Sequence, residues 1–498
     1  MKPAASPVRS GIVIGLCGAL VMSDFFFVLR LVAGVPTPSE MFADASAPFI
    51  PVHLFGMLIG LAQGYTPLKI FGFSSVVFGQ LAVGAAAGVF LARTDASTRV
   101  RAAAALVAVL WLVATALFWP VLLTNYYGLP PLEARFGTIF VLLGGFAVYG
   151  AVVVTLLRET APEVSRSRKR FLIAGTAISG GLLSAGSWAA LFSGSVFPYD
   201  GTEYQGADVR AITPVPRFYV VTKNTVDPAV DRGLWRLSVG GAVDRPATFD
   251  FDTLTARPSL LQETTLMCIN NPPEGGLMSN AIWRGIPLRD LIAAAGSAPG
   301  ALRVAFHGSD NMIETIAFAK AMDPTTLVAW EMNGEPLPPR HGFPVRIVVP
   351  GLFGEKNLKW LTGITVEMTA LKGFYERQGW GPHDEIPTHA RFDRPDFTKA
   401  LHGPSVELRG VAFCGDRGVS RVEISLDKGA TWHDATFTTP YRQLAWRLWR
   451  FEWRPVTPGT YDLAVRATDG KGLVQTATEH GSETQGATGL HRVVAHVE

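Results

Sequence analysis

The sequence predicts a multi-domain chain: an N-terminal bundle of transmembrane α-helices, a central α+β domain and a C-terminal immunoglobulin-like β-sandwich. Three observations carry this expectation. Up to about Ser193 the chain is a series of long apolar runs, from Gly201 it turns rich in Pro and Gly with short β-type runs, and after about His402 apolar and polar residues alternate. A chain of 498 residues is too long for one core, and at typical domain sizes it should hold about three units. Its composition, 48% hydrophobic and 17% charged, suits a hybrid of membrane and soluble parts. A formal net charge of +3 makes no case for nucleic acid as a partner. The expected divisions are residues 1–193 for the helical region, 194–216 for a linker, 217–400 for the α+β domain and 401–498 for the sandwich.

Crossing a hydrocarbon core takes roughly 20 apolar residues in a helix. Runs of that length fall near Gly11–Leu31, Leu68–Ala92, Ala102–Leu123, Phe136–Leu157 and Phe171–Phe192. Phe49–Tyr65 is apolar but short and holds Pro51 and His53, which leaves a sixth span and a re-entrant piece both open. Lys and Arg near helix ends are retained in the cytoplasm. Arg93, Arg99 and Arg101 mark one inner loop, Arg158, Arg166, Arg168, Lys169 and Arg170 another, and Lys2 and Arg9 suggest an inner N-terminus. Five full spans put all three clusters inside, whereas a sixth would put Lys2 and Arg9 outside; the last helix runs outward in both cases. The expectation is a multi-pass protein of the cell (inner) membrane, in contact with lipid, with everything after Ser193 on the extracytoplasmic side.

Ser167-Arg168-Lys169-Arg170-Phe171-Leu172 before a small-residue apolar stretch has the form of a twin-arginine export signal, with Lys169 where the second arginine belongs. A positive-inside anchor reads the same residues equally well. Asp24 in the first span is costly in lipid and either lines a cavity or quinone site, or snorkels or meets another helix. His53 is the only histidine before Ser193, so a haem between helices would need a second ligand such as Met57.

In the soluble half, Trp235–Val239, Arg303–His307 and Val345–Val349 read as strands among turn signals such as Glu274-Gly275-Gly276, and Pro287–Ala295 reads as helix. Further on, Val422, Ile424 and Leu426 alternate with Glu423, Ser425 and Asp427, an Asp427-Lys428-Gly429 turn follows, and Leu463 and Val465 repeat the pattern after Tyr461. Alternation of this kind is what a sandwich strand with one buried face requires.

Cys17, Cys268 and Cys414 are scattered and show no CxxC spacing, which argues against a disulfide framework or a structural zinc site. Cys17 in an apolar helix and Cys414 in the β-rich tail have the setting of small buried side chains. Cys268 stands in different company. Arg217-Phe218-Tyr219-Val220-Val221-Thr222-Lys223-Asn224, Thr265-Leu266-Met267-Cys268-Ile269-Asn270-Asn271 and Trp283-Arg284-Gly285-Ile286-Pro287-Leu288 follow one another. After them come Trp330-Glu331-Met332-Asn333-Gly334-Glu335-Pro336-Leu337-Pro338, His341-Gly342-Phe343-Pro344-Val345-Arg346 and Lys356-Asn357-Leu358-Lys359-Trp360-Leu361. In order and spacing these blocks resemble the sulfite oxidase family of molybdopterin-dependent oxidoreductases over Arg217 to Trp380, and the β tail resembles that family's C-terminal dimerisation domain.

The resemblance implies a Mo-molybdopterin cofactor with Cys268 as metal ligand, a role that suits a soft thiolate facing a high-valent metal. It implies Tyr219, Asn224, Asp310, His341, Arg346, Asn357, Leu358 and Lys359 as the cofactor-binding set, with Arg346 and Lys359 suited to phosphate and Asp310 to ring amines. Trp283 is placed near the metal by the same resemblance and reads equally as a core tryptophan.

Departures from the family bear on substrate. Sulfite oxidases surround their anion with arginines, whose bidentate forks suit an oxyanion. Here Lys223 takes the first such position, Asn271-Pro272-Pro273 replaces an arginine-bearing stretch, and Trp380 stands where those enzymes carry a tyrosine. The expected catalytic residues are therefore Cys268, Lys223 and Trp380, in a less cationic and more apolar pocket. Two-electron oxo-transfer on a small oxo-compound, a sulfoxide or sulfite among them, is expected. No CxxCH signature and no Gly-rich nucleotide loop appears, so electrons are expected to pass through a separate cytochrome or quinone partner. The β tail either forms a homodimer or packs on its own catalytic domain. The alternative is a non-catalytic membrane receptor or assembly module that retains the fold.

Overall fold

The computed structural model describes residues 7–62, 65–159, 193–381, 384–482 and 485–498, with scattered positions between 171 and 190. Apart from those positions, the expected span Phe171–Phe192 and the export-like segment before it lie outside the described residues. The apolar half folds into α1 (Pro7–Ala33), α2 (Pro38–Ser46), α3 (Val52–Leu61), α4 (Tyr65–Arg93), α5 (Arg99–Leu117) and α6 (Pro131–Glu159). Of these, α1, α4, α5 and α6 are long and apolar enough to cross a membrane. The turn into α2 is fixed by a capping box: Thr37 Oγ1 accepts from Glu40 N, and the Glu40 carboxylate accepts from Thr37 N at 2.9 Å.

Small residues let α1 and α4 meet backbone to backbone. A Cβ on Gly15 would strike Gly84 O, and one on Gly88 would strike Gly11 O. Close packing of this kind, backbone against backbone, gives the two helices extensive van der Waals contact.

Contacts with the α+β domain fix which way each helix runs. Near the end of α1, Arg30 Nη2 donates to Val226 O at 3.1 Å; near the start of α4, Lys69 Nζ lies 2.6 Å from Asp200 Oδ2. α1 therefore ends, and α4 begins, at the face of the bundle that meets this domain. The intervening α3, with 10 residues, stays on that face. The chain beyond α5 is on that face too, since Asn311 Nδ2 donates to Pro120 O at 3.3 Å. Asp24 is 1% exposed and lies inside the bundle rather than snorkelling outward. His53 and Met57 on α3 are exposed instead of facing a helix interior.

Residues 194–216, expected as a linker, are built into the α+β domain. Ser195 bridges to Val226 and Thr202 to Val220, and Tyr204 and Thr213 are buried. The segment's polar groups find fixed partners there: Thr213 N donates to Asn280 O, and Tyr204 N to Gly276 O.

Two sheets make up the α+β domain. One sets Ala247–Phe249, Leu237–Gly241, Leu361–Glu367, Arg303–Gly308 and Ile313–Ala317 side by side, with Leu237–Gly241 and Leu361–Glu367 parallel. The other pairs Leu260–Met267 with Met278–Pro287 and then Leu327–Met332, which Glu335–Pro336 and Arg346–Val348 join. Trp235, Phe306, Ile347 and Trp360 anchor the core. The expected helix is found at Leu288–Ala295.

The C-terminal part is two four-stranded antiparallel sheets enclosing Val422, Ile424, Leu463 and Val465, with Cys414 buried beside them. It begins at strand His389–Arg394, which pairs with Val406–Phe413, so the domain starts before the expected residue 401. It docks on its own α+β domain: Thr265 N donates to Leu444 O at 3.0 Å, and Arg391 Nη1 to Gly275 O at 2.6 Å.

Buried charge fixes two joints. Lys69 brings its ammonium from α4 to Asp200 and donates to the carbonyls of Thr222 and Asn224, the latter at 3.1 Å. The second joint holds the helix Phe374–Gln378. Lys356 Nζ lies 3.1 Å from Glu314 Oε2 and 2.9 Å from Glu376 Oε1, Arg303 grips Glu376 from the other side, and Glu314 accepts Tyr375 N at 3.0 Å.

Removing one member of a buried pair strands the other charge and costs about 3–5 kcal/mol. Lys69→Met is therefore expected to loosen the helical region from residues 194–224, read as a lower melting temperature in detergent and new protease cleavage in that segment. Lys356→Met is expected to lose a similar amount in equilibrium unfolding, with Glu314→Gln in the same background restoring part of it.

Candidate functional site

Cys268 follows the strand Leu260–Met267 in the turn toward Met278–Pro287. Its N–H donates to Leu277 O at 2.9 Å and its carbonyl accepts Asn271 N at 3.1 Å, so the backbone that carries the thiol is held on both sides. The residue is 8% exposed and lines a cavity of about 370 Å³. Burial pushes the thiol up to about 12, so it keeps its proton at neutral pH.

Tyr219, Lys223, Asp310, His341, Arg346, Asn357, Leu358, Lys359 and Trp380 line the same cavity. Asn224 stands one step behind, its Nδ2 donating to Asp310 Oδ2 at 3.1 Å. Trp283 is a core residue beneath the wall: the Arg346 guanidinium lies 5.0 Å from its ring centre, and its Nε1 donates to Thr264 O. Asn357 uses its side chain on the backbone, accepting Val349 N at 2.7 Å and donating to Phe353 O at 3.0 Å. A Cβ at Gly354 would come within 2.5 Å of Tyr219 Oη, so only glycine lets this turn approach the tyrosine.

Burial lowers Arg346 to about 10, which leaves it charged at neutral pH; its Nη1 donates to His341 O and its Nη2 to Asn357 O. His341 is lowered to about 3 by burial, with Arg346 and Lys359 adding to the effect, so the ring is neutral and its Nε2 lies 3.2 Å from Val215 O. Glu355, also in the wall, is pushed up to about 8 by burial, with Glu314 adding, and holds a proton at neutral pH.

The cations that line the cavity, together with Lys69 behind the wall residue Asp200, divide into two groups. Lys223 lies 2.7 Å from Asp44 and 2.9 Å from Asp310 O, and Lys69 is taken by Asp200. Arg340, Arg346 and Lys359 have no carboxylate within ion-pair distance among the described residues. A cofactor that carries phosphate needs such unclaimed cations, and one that carries a metal needs a thiol or similar donor; both are present. Trp380 adds a buried Nε1–H without a protein acceptor. The residues fit a molybdopterin group.

Sequence reasoning expected Lys223 to present a free charge beside the metal. The structure keeps Lys223 in the wall but pairs it with Asp44, a residue of α2. Asp44, Asp200, Glu355 and the α3 residues Phe55 and Ile59 all line or bound the cavity and were missed. Most of them stand far from any motif, and only Glu355, next to the block that opens at Lys356, carried a local signal.

Residues 224–375 match the oxidoreductase molybdopterin binding domain and residues 394–497 the Mo-co oxidoreductase dimerisation domain. Mitochondrial sulfite oxidase of Macaca fascicularis is 32% identical over 302 residues, 51% of this chain and 55% of that protein. An NADH nitrate reductase of Phaseolus vulgaris is 30% identical over 322 residues, 52% of this chain and 36% of its own length. The chain thus spans about half the length of the sulfite oxidases it matches. The sulfane dehydrogenase SoxCD from Paracoccus pantotrophus shares the fold, with a TM-score of 0.54 at 23% identity over 59% of this chain and 85% of that one. The two matched domains imply a Mo-molybdopterin cofactor. With both domains matched in order on a cavity that offers a thiol and unclaimed cations, this chain belongs to the sulfite oxidase family of molybdopterin oxidoreductases.

Proposed function

We propose that the chain is a membrane-anchored molybdenum oxidoreductase with its catalytic domain on the extracytoplasmic side, acting on a small neutral or weakly anionic oxo-compound. One observation carries the reading: Cys268 and three cations without carboxylate partners converge on one cavity, while the cation expected to face substrate is neutralised. Arg340, Arg346 and Lys359 would hold the cofactor's phosphate, Asp310 its ring amines and Cys268 its metal. When bound, the cofactor supplies two-electron exchange of an oxygen atom, with water as the oxygen's other partner and two protons balancing the electrons.

The protein's own groups set the conditions for that exchange. Glu355 keeps a proton on its carboxyl at neutral pH, Trp380 Nε1 offers a hydrogen bond to an oxygen in the cavity, and Phe55, Ile59 and Tyr375 limit water. Electrons pass to or from a separate cytochrome or quinone partner, and the β tail, an immunoglobulin-like sandwich on this reading, pairs two copies.

Cys268→Ser is expected to abolish turnover and alter the electron paramagnetic resonance signal of the reduced metal while pterin stays bound, because serine is a harder and less covalent donor. Unchanged rates and signals would remove Cys268 as ligand. For topology, cysteines placed at exposed Glu203 and exposed Ser97 are expected to react with an impermeant maleimide from outside and only after permeabilisation, respectively. The three native cysteines are buried and give a low background.

A further inference from the structure

The ion pair in the cavity wall joins two regions far apart in sequence. Asp44 belongs to α2 of the helical region, and Lys223 to the loop that opens the molybdopterin domain. Both side chains are largely buried at 2.7 Å, and the ammonium's second bond goes to Asp310 O. Lys223 thus lines the chamber with its charge already matched. Glu40 stands near the pair but is itself ion-paired to Arg30 at 3.0 Å, and the Arg30 guanidinium also covers the Tyr126 ring.

We propose that Asp44 determines which substrates the chamber admits: ionised, it neutralises Lys223 and disfavours oxyanions in the chamber, and protonated, it releases Lys223 to bind a small oxyanion. The inference rests on the cavity being the cofactor and substrate chamber. Its chemistry is a proton on Asp44 Oδ1 exchanged for an anion on Lys223 Nζ.

The groups around the pair favour such an exchange. Burial raises the Asp44 carboxyl; Lys223 opposes that, Asp310 and Glu40 add to it, and the result is about 6. Burial alone would weaken the Lys223 charge, but Asp44 and Asp310 outweigh it and hold the ammonium above its ordinary range. Tyr126, the remaining titratable neighbour, is held neutral far above its usual range by burial, with Glu40 and Asp44 adding. A carboxyl raised in this way loses its charge as pH falls through about 6, while the lysine keeps its own. The chamber therefore gains one positive charge on the acid side.

The test is calorimetric titration of sulfate, a dianion throughout the range, into the molybdenum-loaded full chain between about pH 5 and 8. Wild type is expected to bind sulfate at least about tenfold more tightly at the acid end, the scale of one charge-assisted hydrogen bond. Asp44→Asn should bind at the alkaline end as wild type does at the acid end, and Lys223→Met should lose binding at both. Equal affinity of Asp44→Asn and wild type at the alkaline end overturns the proposal, as does acid-side binding that survives Lys223→Met. Should Asp44→Asn fail to fold, the pH dependence of wild type against Lys223→Met decides alone. Molybdenum and pterin assays on the same samples separate the two inferences: a full chain that takes up no pterin under loading conditions yet shows the acid-dependent, Lys223-dependent sulfate site would overturn the chamber's assignment and leave the Asp44 switch standing.

Discussion

A cation removed from water needs negative charge close by, and the unequal supply of carboxylates to the cavity's cations organises this structure. Asp200 and Asp44 each claim a lysine, and among the described residues no carboxylate pairs with Arg340, Arg346 or Lys359. The claimed lysines are joints between the helical region and the domain beneath it. The unclaimed cations are what a phosphate-bearing group requires. One cavity wall therefore does two jobs with similar residues, and the pairing of each side chain tells which job it has.

The helical region in consequence helps to build the site. α2 provides the carboxylate that neutralises Lys223, α3 provides Phe55 and Ile59 to the cavity, and α4 provides Lys69. In return, the α+β domain offers partners to polar groups near the ends of these helices, as when Val226 O accepts from Arg30. Neither part has a complete surface without the other.

Much of this was legible in the sequence, for identifiable reasons. Strand alternation at Val422 and Ile424 reports one buried face, and long apolar runs report helices without needing any partner. Cys268, Arg346 and Lys359 sit in colinear blocks, and the structure brings them to one cavity. What stayed hidden was non-local. Asp44 and Lys223 are 179 residues apart and Lys69 and Asp200 are 131 apart, so no periodicity or spacing connects them. The segment 194–216 looked like a linker because its contacts are hydrogen bonds to residues distant in sequence, which composition does not record. The placement of α3 depended on where its neighbours end, which a count of apolar residues leaves open.

The glycine seam between α1 and α4 has a mechanical consequence. Gly11, Gly15, Gly84 and Gly88 touch in the half of the bundle remote from the cavity, and at 1.5 Å per residue Lys69 lies roughly 28 Å along α4 from Gly88. Two helices in backbone contact cannot slide or splay without first separating there. The seam acts as the fulcrum of a long arm, and a small wedge beneath it is magnified at the far tip, where Lys69 grips the wall. Tolerances at the cavity are thus partly set by packing at the far end of α1 and α4.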